Sequence, residues 1–221
     1  MDISIFDVIG PIMIGPSSSH TAGAARLARI AAKICGKPFN KVTFGLHGSF
    51  AKTGAGHGTD KALLAGAMGL KEDDEGIAKA YDIAKEKKLK FEFYEADLKV
   101  QYENSCKLTF YCEDGTKSII IGSSIGGGRT VIDKINDVDT EIYAERPTVI
   151  VNQVDKKGVI SSITQLFAWQ GINVAVMRMS RIQKGKTATT IIETDEIVPA
   201  HMRELLLQLD GVKDVRVINF E

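Results

Sequence analysis

Two short segments of this 221-residue chain set a histidine among residues that can hold a small polar molecule. In the first, Gly15-Pro16-Ser17-Ser18-Ser19-His20-Thr21 enters an Ala-rich stretch. Hydroxyls and backbone amides there can satisfy a helix N-terminus or receive an anion at its positive end. One serine at such a place is ordinarily just a cap. Three serines and a histidine, inside a stretch without charge from Val8 to Ala25, point instead to a neutral, donor-lined pocket suited to a zwitterion such as an amino acid. The second segment is Gly48-Ser49 followed by Thr53-Gly54-Ala55-Gly56-His57-Gly58-Thr59-Asp60. Glycines on both sides of His57 leave its imidazole accessible and let backbone approach closely, and an accessible imidazole is the usual general base. The plainer reading is a glycine-rich hairpin with an incidental histidine. Neither segment has the Gly-Lys-Ser/Thr of a phosphate loop or the glycine spacing of a dinucleotide site, which disfavours nucleotide binding.

The elements that must position these residues read as follows. Apolar spacing predicts a helix from Ser18 to Ile34, stopped by Gly36 and Pro38. Val42, Phe44 and Leu46 alternate as a strand ending in His47, Gly48 and Ser49. A Gly-rich turn is expected from Gly54 to Gly58, then a helix from Asp60 to Met68 capped by Thr59 or Asp60, and a second helix from Glu75 to Lys87. Phe91 and Phe93, Cys106 to Tyr111 and Ser118 to Ile121 read as strands, with Asp114-Gly115 a hairpin turn. Gly126 to Gly128 interrupt the pattern before Val131 to Ile135 resume it. The result is a mixed α+β domain with an antiparallel meander, spanning 1–145.

From 146 to 221 the order is strand (Thr148 to Asn152), helix (Gly158 to Gln170), strand (Asn173 to Arg181), strand (Thr187 to Thr194), helix (Pro199 to Leu209) and strand (Val212 to Asn219). That is a ferredoxin-like β-α-β-β-α-β unit in about seventy residues.

Composition narrows the field. The 28 basic and 28 acidic residues leave no net field to hold nucleic acid or an anionic membrane. The uncharged stretch is broken by Gly and Pro, so neither a spanning helix nor a signal peptide is expected, and a cytoplasmic setting fits. Cys35, Cys106 and Cys112 are widely spaced, without a metal or redox pattern, and read as small buried hydrophobes. His47, at a strand end, and His201, on a charged helix, receive no role.

Asp155, Gly158, Val159 and Ile160, with Gly171, Ile172 and Asn173 downstream, resemble the ACT domain, a regulatory module that often binds amino acids. The resemblance implies ligand contacts at Asp155, Gly158, Val159 and Asn173, or pairing into a homodimer without ligand; both readings stay open. The Ser4 to Pro11 opening, the Gly15 to Gly23 run and Gly54 to Asp60 together resemble the beta subunit of the two-subunit iron–sulfur L-serine dehydratases over essentially the whole chain. That resemblance implies conversion of L-serine to pyruvate and ammonia, with a [4Fe–4S] cluster ligated by a separate alpha subunit. It places the family's histidines on His57 and His20, with Ser17, Ser18, Ser19, Thr21, Gly58 and Thr59 near the substrate. His57 is expected as the base and His20 in positioning or relay, with the reverse also open. Homodimerisation through either domain is expected. The large domain also resembles the allosteric substrate-binding domain of some phosphoglycerate dehydrogenases, so a stand-alone amino-acid-binding regulator is the main rival. A pyridoxal-phosphate dehydratase would need a Schiff-base lysine in a recognisable setting, which is not found.

Overall fold

The described residues of this computed structural model are 12–181 and 183–220, so the Ser4 to Pro11 motif lies outside them. The Ala-rich stretch forms in two parts, a π-helical turn over Ser18–Ala22 and then α1, Gly23–Cys35. Ala22 and Gly23 send their N–H groups five residues back, to the carbonyls of Ser17 and Ser18. The widened turn this creates carries His20, and such turns recur at functional sites. The covered face of α1 is mostly small: Ala24, Ala25, Ala28 and Ala31 are fully buried, with Leu27, Ile30 and Ile34 supplying bulk.

Strand β1 (Phe39–Gly48) leads into α2 (Ser49–His57) and α3 (Thr59–Ala67). A 3-10 turn over Glu75–Lys79 and α4 (Ala80–Glu86) complete the crossover to β2 (Lys90–Glu95). Strands β3 (Asn104–Cys112), β4 (Lys117–Gly126), β5 (Arg129–Ile135) and β6 (Val138–Ile142) follow. The six-stranded sheet has the order β2-β1-β3-β4-β5-β6; β1 and β2 are parallel, while the pairs β1–β3, β3–β4 and β4–β5 are antiparallel. Alternation turns Val42, Phe44, Cys106, Leu108, Phe110 and Ile120 into the core. Gly122 makes room for α1, since a Cβ there would lie 2.7 Å from Leu27 Cδ1.

Three sequence expectations for this unit need correction, and one strand was not foreseen. Gly54 to His57 is not a turn but the second half of α2; the chain turns only at Gly58, with φ +67°. Glycine disfavours helix by about 1 kcal/mol per residue, yet here tertiary contact wins. Phe50 is fully buried, and a Cβ on Gly54 would come within 3.2 Å of Thr59. Neither Thr59 nor Asp60 caps α3; Gly58 holds that place without a side-chain bond. Glu75 to Lys87 is not one helix, because Lys79 (φ −105°, ψ 17°) separates the 3-10 turn from α4. Strand β6 has too short and charged a sequence to stand out alone.

By compactness the chain divides into two units, one running to Asn136 and including Thr140–Tyr143, the other taking Asp137–Asp139 and Ala144 onward. In the second, β7 (Thr148–Val154), α5 (Val159–Trp169), β8 (Val174–Arg181), β9 (Thr187–Thr194), α6 (Met202–Leu207) and β10 (Val212–Ile218) build an antiparallel sheet of order β10-β7-β9-β8. This is the expected ferredoxin-like β-α-β-β-α-β arrangement. Both helices pack on one face through Val149, Val151, Ile163, Phe167, Ile192, Met202 and Leu206. Pro199 lies in the turn ahead of α6 rather than within it, its carbonyl accepting from Met202 N–H.

The tightest helix contact sets α3 against α1: a Cβ on Gly66 would lie 2.0 Å from the Ala25 carbonyl oxygen, whereas a Cβ on Gly56 would meet nothing within 4 Å. Helix propensity favours alanine at both by about 1 kcal/mol. At Gly66 the overlap is with backbone, so overpacking of about 1–3 kcal/mol outweighs propensity. In thermal melts Gly66→Ala is expected to lower Tm while Gly56→Ala leaves it unchanged or raised; equal effects at the two positions contradict this packing.

Candidate active site

The two histidine segments meet within the first unit. The rings of His20 and His57 lie 4.9 Å apart, centroid to centroid. Thr21, which is buried, donates its hydroxyl to the His57 carbonyl at 3.0 Å and so joins the π-helical turn to the end of α2. Ser17 is the N-cap, its Oγ accepting from His20 N–H at 3.0 Å. The cavity beside them, about 230 Å³, is lined by Ile14, Pro16, Thr21, His57, Gly58 and Lys61. The expectation of a neutral, donor-lined pocket is corrected here: the lining is largely apolar, and Lys61 brings a positive charge from α3. The loop entering the site is tied down from below, because Ile14 N–H reaches the Glu72 carbonyl while the Glu72 carboxylate takes both oxygens to Arg29, at 3.0 and 3.1 Å.

Each imidazole is held differently. His57 Nδ1 lies 3.0 Å from the carbonyl of Thr53, one helical turn back. A carbonyl only accepts, so Nδ1 carries the proton and, in the neutral ring, Nε2 keeps a lone pair for a proton from elsewhere. His20 Nε2 lies 3.0 Å from Ser49 Oγ and 3.1 Å from Thr53 Oγ1. Thr53 donates its own hydroxyl proton to the Ser49 carbonyl at 2.9 Å, which leaves its oxygen an acceptor toward His20. The His20 ring also meets the buried Phe50 edge-on, with centroids 5.5 Å apart. Burial, then the proximity of His57, lower the His20 pKa below its usual value, outweighing the raising effect of Ser49. His20 is therefore held neutral.

Of the other expected residues, Ser18 and Ser19 are half-buried on the π-helical turn. Thr59 is fully buried with its hydroxyl lacking a partner among the described residues, and Gly58 supplies the left-handed turn. Sequence reasoning assigned no role to Ser49, Thr53 or Phe50. The signal was the spacing Ser49, Thr53, His57, which aligns side chains on a helix face once the glycines between them are allowed to be helical. His47 accepts from Leu98 N–H at Nδ1, 3.1 Å away, and His201 is exposed beside Gln170.

In the second unit the expected ligand residues separate. Asp155 accepts from Gly185 N–H and from Arg181 at 2.8 and 2.7 Å. Those bonds, the Gly185 one leading, hold its carboxyl below the ordinary range and fasten the turn after β7 to the β8–β9 hairpin. Gly158 takes φ +92° at the head of α5, and Val159 is a core residue. Asn173 bonds to Glu196 and Asp195 at the other end of the sheet, roughly 20 Å away by strand rise.

No helix among the described residues is long and apolar enough to cross a membrane, and no group of three or more His, Cys, Asp or Glu there is placed to hold a metal. All three cysteines are buried. Burial pushes the Cys35 thiol up to about 11 and raises Cys106 further.

Residues 4–134 match the family described as serine dehydratase beta chain, and residues 148–211 match the ACT domain. The chain is 37% identical to the L-serine dehydratase beta chain of Peptoniphilus asaccharolyticus, covering 95% of each. It is also 37% identical to the probable L-serine dehydratase beta chain of Bacillus subtilis, covering 97% of each. A D-3-phosphoglycerate dehydrogenase of Methanocaldococcus jannaschii shares 27% identity over 54% of this chain and 22% of its own.

Lowering of the His20 pKa has a definite sign. The unfolded ring, titrating near 6.5, binds a proton that the folded ring refuses, so stability falls as pH drops below that value. In denaturant titrations between about pH 7.5 and pH 5.5, wild type should lose more stability than His20→Gln. Removing the neighbouring charge in His57→Ala should raise the His20 titration in NMR. Parallel stability curves, or an unmoved His20, contradict this electrostatic picture.

Proposed function

The chain belongs to the serine dehydratase beta chain family, and on that premise we propose that it is the beta subunit of an L-serine dehydratase in which His57 and His20 manage the protons of substrate. The observation that carries this is the pair of neighbouring imidazoles, one with Nδ1 engaged and Nε2 without a partner among the described residues, the other kept neutral by burial. Dehydration of L-serine removes a weakly acidic α-proton and expels a poor leaving group. In this reading His57 Nε2 takes the α-proton. His20, backed by Ser49 and Thr53, orients the substrate or passes a proton onward. Lys61 supplies the positive charge for the substrate carboxylate at the cavity wall, and Ser18 and Ser19, half-buried on the π-helical turn, are assigned to substrate contact. Loss of water leaves an aminoacrylate that tautomerises and hydrolyses to pyruvate and ammonia.

The chain's own thiols do not fit an iron–sulfur cluster. Cys35 and Cys112 lie together, Sγ to Sγ 3.7 Å, and all three thiols are enclosed in the core, whereas a cluster needs Cys ligands converging on one site. We assign the [4Fe–4S] cluster to a separate alpha subunit. The ACT unit is read as the module for a homodimer contact or an effector.

The test is pyruvate formation from L-serine under anaerobic conditions, with this chain alone and with a cluster-bearing alpha subunit. Activity is expected only in the mixture. His57→Ala should then lower kcat by about 10²–10⁴-fold with the cluster absorbance unchanged. Near-normal turnover in that variant removes His57 as the base. Serine binding by this chain without any turnover in the mixture identifies a regulator instead.

A further inference from the structure

A second polar chain runs through the first unit, on the sheet face away from the helices, and its proton count is unusual. Ser105 Oγ lies 2.5 Å from the Tyr102 carbonyl oxygen and 2.7 Å from Ser123 Oγ. Ser123 Oγ in turn lies 2.7 Å from Asp133 Oδ2. Contacts this short between oxygens each require a proton, and there are three of them. The serines supply two. With Asp133 ionised, one contact would set lone pair against lone pair. Ser105 and Ser123 are both fully buried, so no solvent relieves that clash. The missing proton has one source, the carboxyl of Asp133.

We infer that Asp133 is held as a neutral carboxylic acid heading a one-way hydrogen-bond chain, Asp133 to Ser123 to Ser105 to the Tyr102 carbonyl, and that it thereby acts as a positioning residue for the histidine pair. The chain crosses β5, β4 and β3 and ends on the loop just before β3. Ser105 faces Ser123 on one side and His47 on the other in the strand register. The next residue of that loop, Glu103, accepts the N–H of Ser49 at 2.9 Å, and a Cβ on Gly48 would lie 2.5 Å from the same carbonyl oxygen. The loop thus fixes where α2 begins. Ser49 is the first residue of α2 and lies against His20 Nε2, and the same helix ends at His57.

Besides Asp133, the ionisable groups on these and the adjoining strands are Lys41 and His47 on β1, Cys106, Lys107, Tyr111 and Cys112 on β3, Lys117 on β4, Arg129 and Lys134 on β5, and Asp139 and Glu141 on β6. Burial, the largest influence, raises the Asp133 carboxyl above its ordinary range, and a bond donated to Ser123, which only the neutral acid can make, acts in the same direction. A carboxyl raised on folding contributes stability that is complete below the unfolded value of 3.8 and is lost as pH rises through the folded value.

The role rests on the dehydratase reading, while the protonation state does not. Carboxyl NMR on the full chain, labelled with ¹³C at aspartate, should show Asp133 still an acid at neutral pH with the exposed aspartates ionised; an ionised Asp133 overturns the inference. Asn can donate an N–H to Ser123 without a titrating proton. In the assembled enzyme Asp133→Asn should keep kcat within about 2-fold while Asp133→Ala loses about 10-fold or more, by analogy with the sensitivity of rates to small misplacement. In the isolated chain Asp133→Ala should shift the His20 imidazole resonances and Asp133→Asn should not. An Asn variant as impaired as Ala, or His20 unmoved in both, removes the positioning role. If wild-type enzyme turns over no serine, the dehydratase reading fails by itself, and the carboxyl and imidazole spectra still decide this one.

Discussion

Backbone packed directly on backbone is the constraint from which the rest of the first unit follows. Gly66 of α3 lies so near the Ala25 carbonyl that no side chain fits between them, and the neighbouring surface of α1 is alanine. Helices this close leave little play at their ends. The head of α1 is the π-helical turn with His20, and α3 starts one residue after Gly58, which follows His57. The Thr21 hydroxyl and the His57 carbonyl then need only one hydrogen bond to lock the two segments in register. Small residues are thus used here for distance, and the chemistry inherits its precision from them.

Given that frame, the electrostatics of the pair are nearly forced. Two imidazoles a ring-width apart resist joint protonation. Burial against Phe50 adds to this on the His20 side, and the Thr53 carbonyl fixes which nitrogen of His57 holds the proton. Thr53 serves both rings, its carbonyl toward His57 and its hydroxyl oxygen toward His20. One residue thereby couples the tautomer of one histidine to the hydrogen bonding of the other.

Much of this was legible in the sequence, for physical reasons that differ between the units. The ACT unit was clear because glycines punctuate its helices, Gly158 before α5, Gly171 after it and Gly211 after α6, and the β-branched run between them forms β9 over Thr187–Thr194 as expected. The two histidines were legible because serines and glycines gather around them, with Gly56 and Gly58 leaving open space on both sides of His57. What was missed lies where tertiary contact overrides local preference. Gly54 and Gly56 argue for a turn by propensity, and only burial of Phe50 and the closeness of Thr59 make that segment helical. Once the turn is assumed, the alignment of Ser49, Thr53 and His57 cannot be seen. Lys61 was hidden for a related reason, since a lysine on an amphipathic helix normally faces solvent, and only the fold shows it at the cavity wall. The Ser105–Ser123–Asp133 chain depends on strand register, which no single strand reveals.

Proton transfer at this site depends on His57 presenting a bare Nε2 lone pair beside a neutral His20. The most direct measurement is the ¹⁵N spectrum of this chain labelled at histidine, with His57 assigned by substitution. The account requires a neutral His57 with Nδ1 protonated and Nε2 bare at alkaline pH. The opposite tautomer, with the proton on Nε2, would mean that the Thr53 carbonyl does not hold the ring and that His57 cannot receive a proton where the cavity lies.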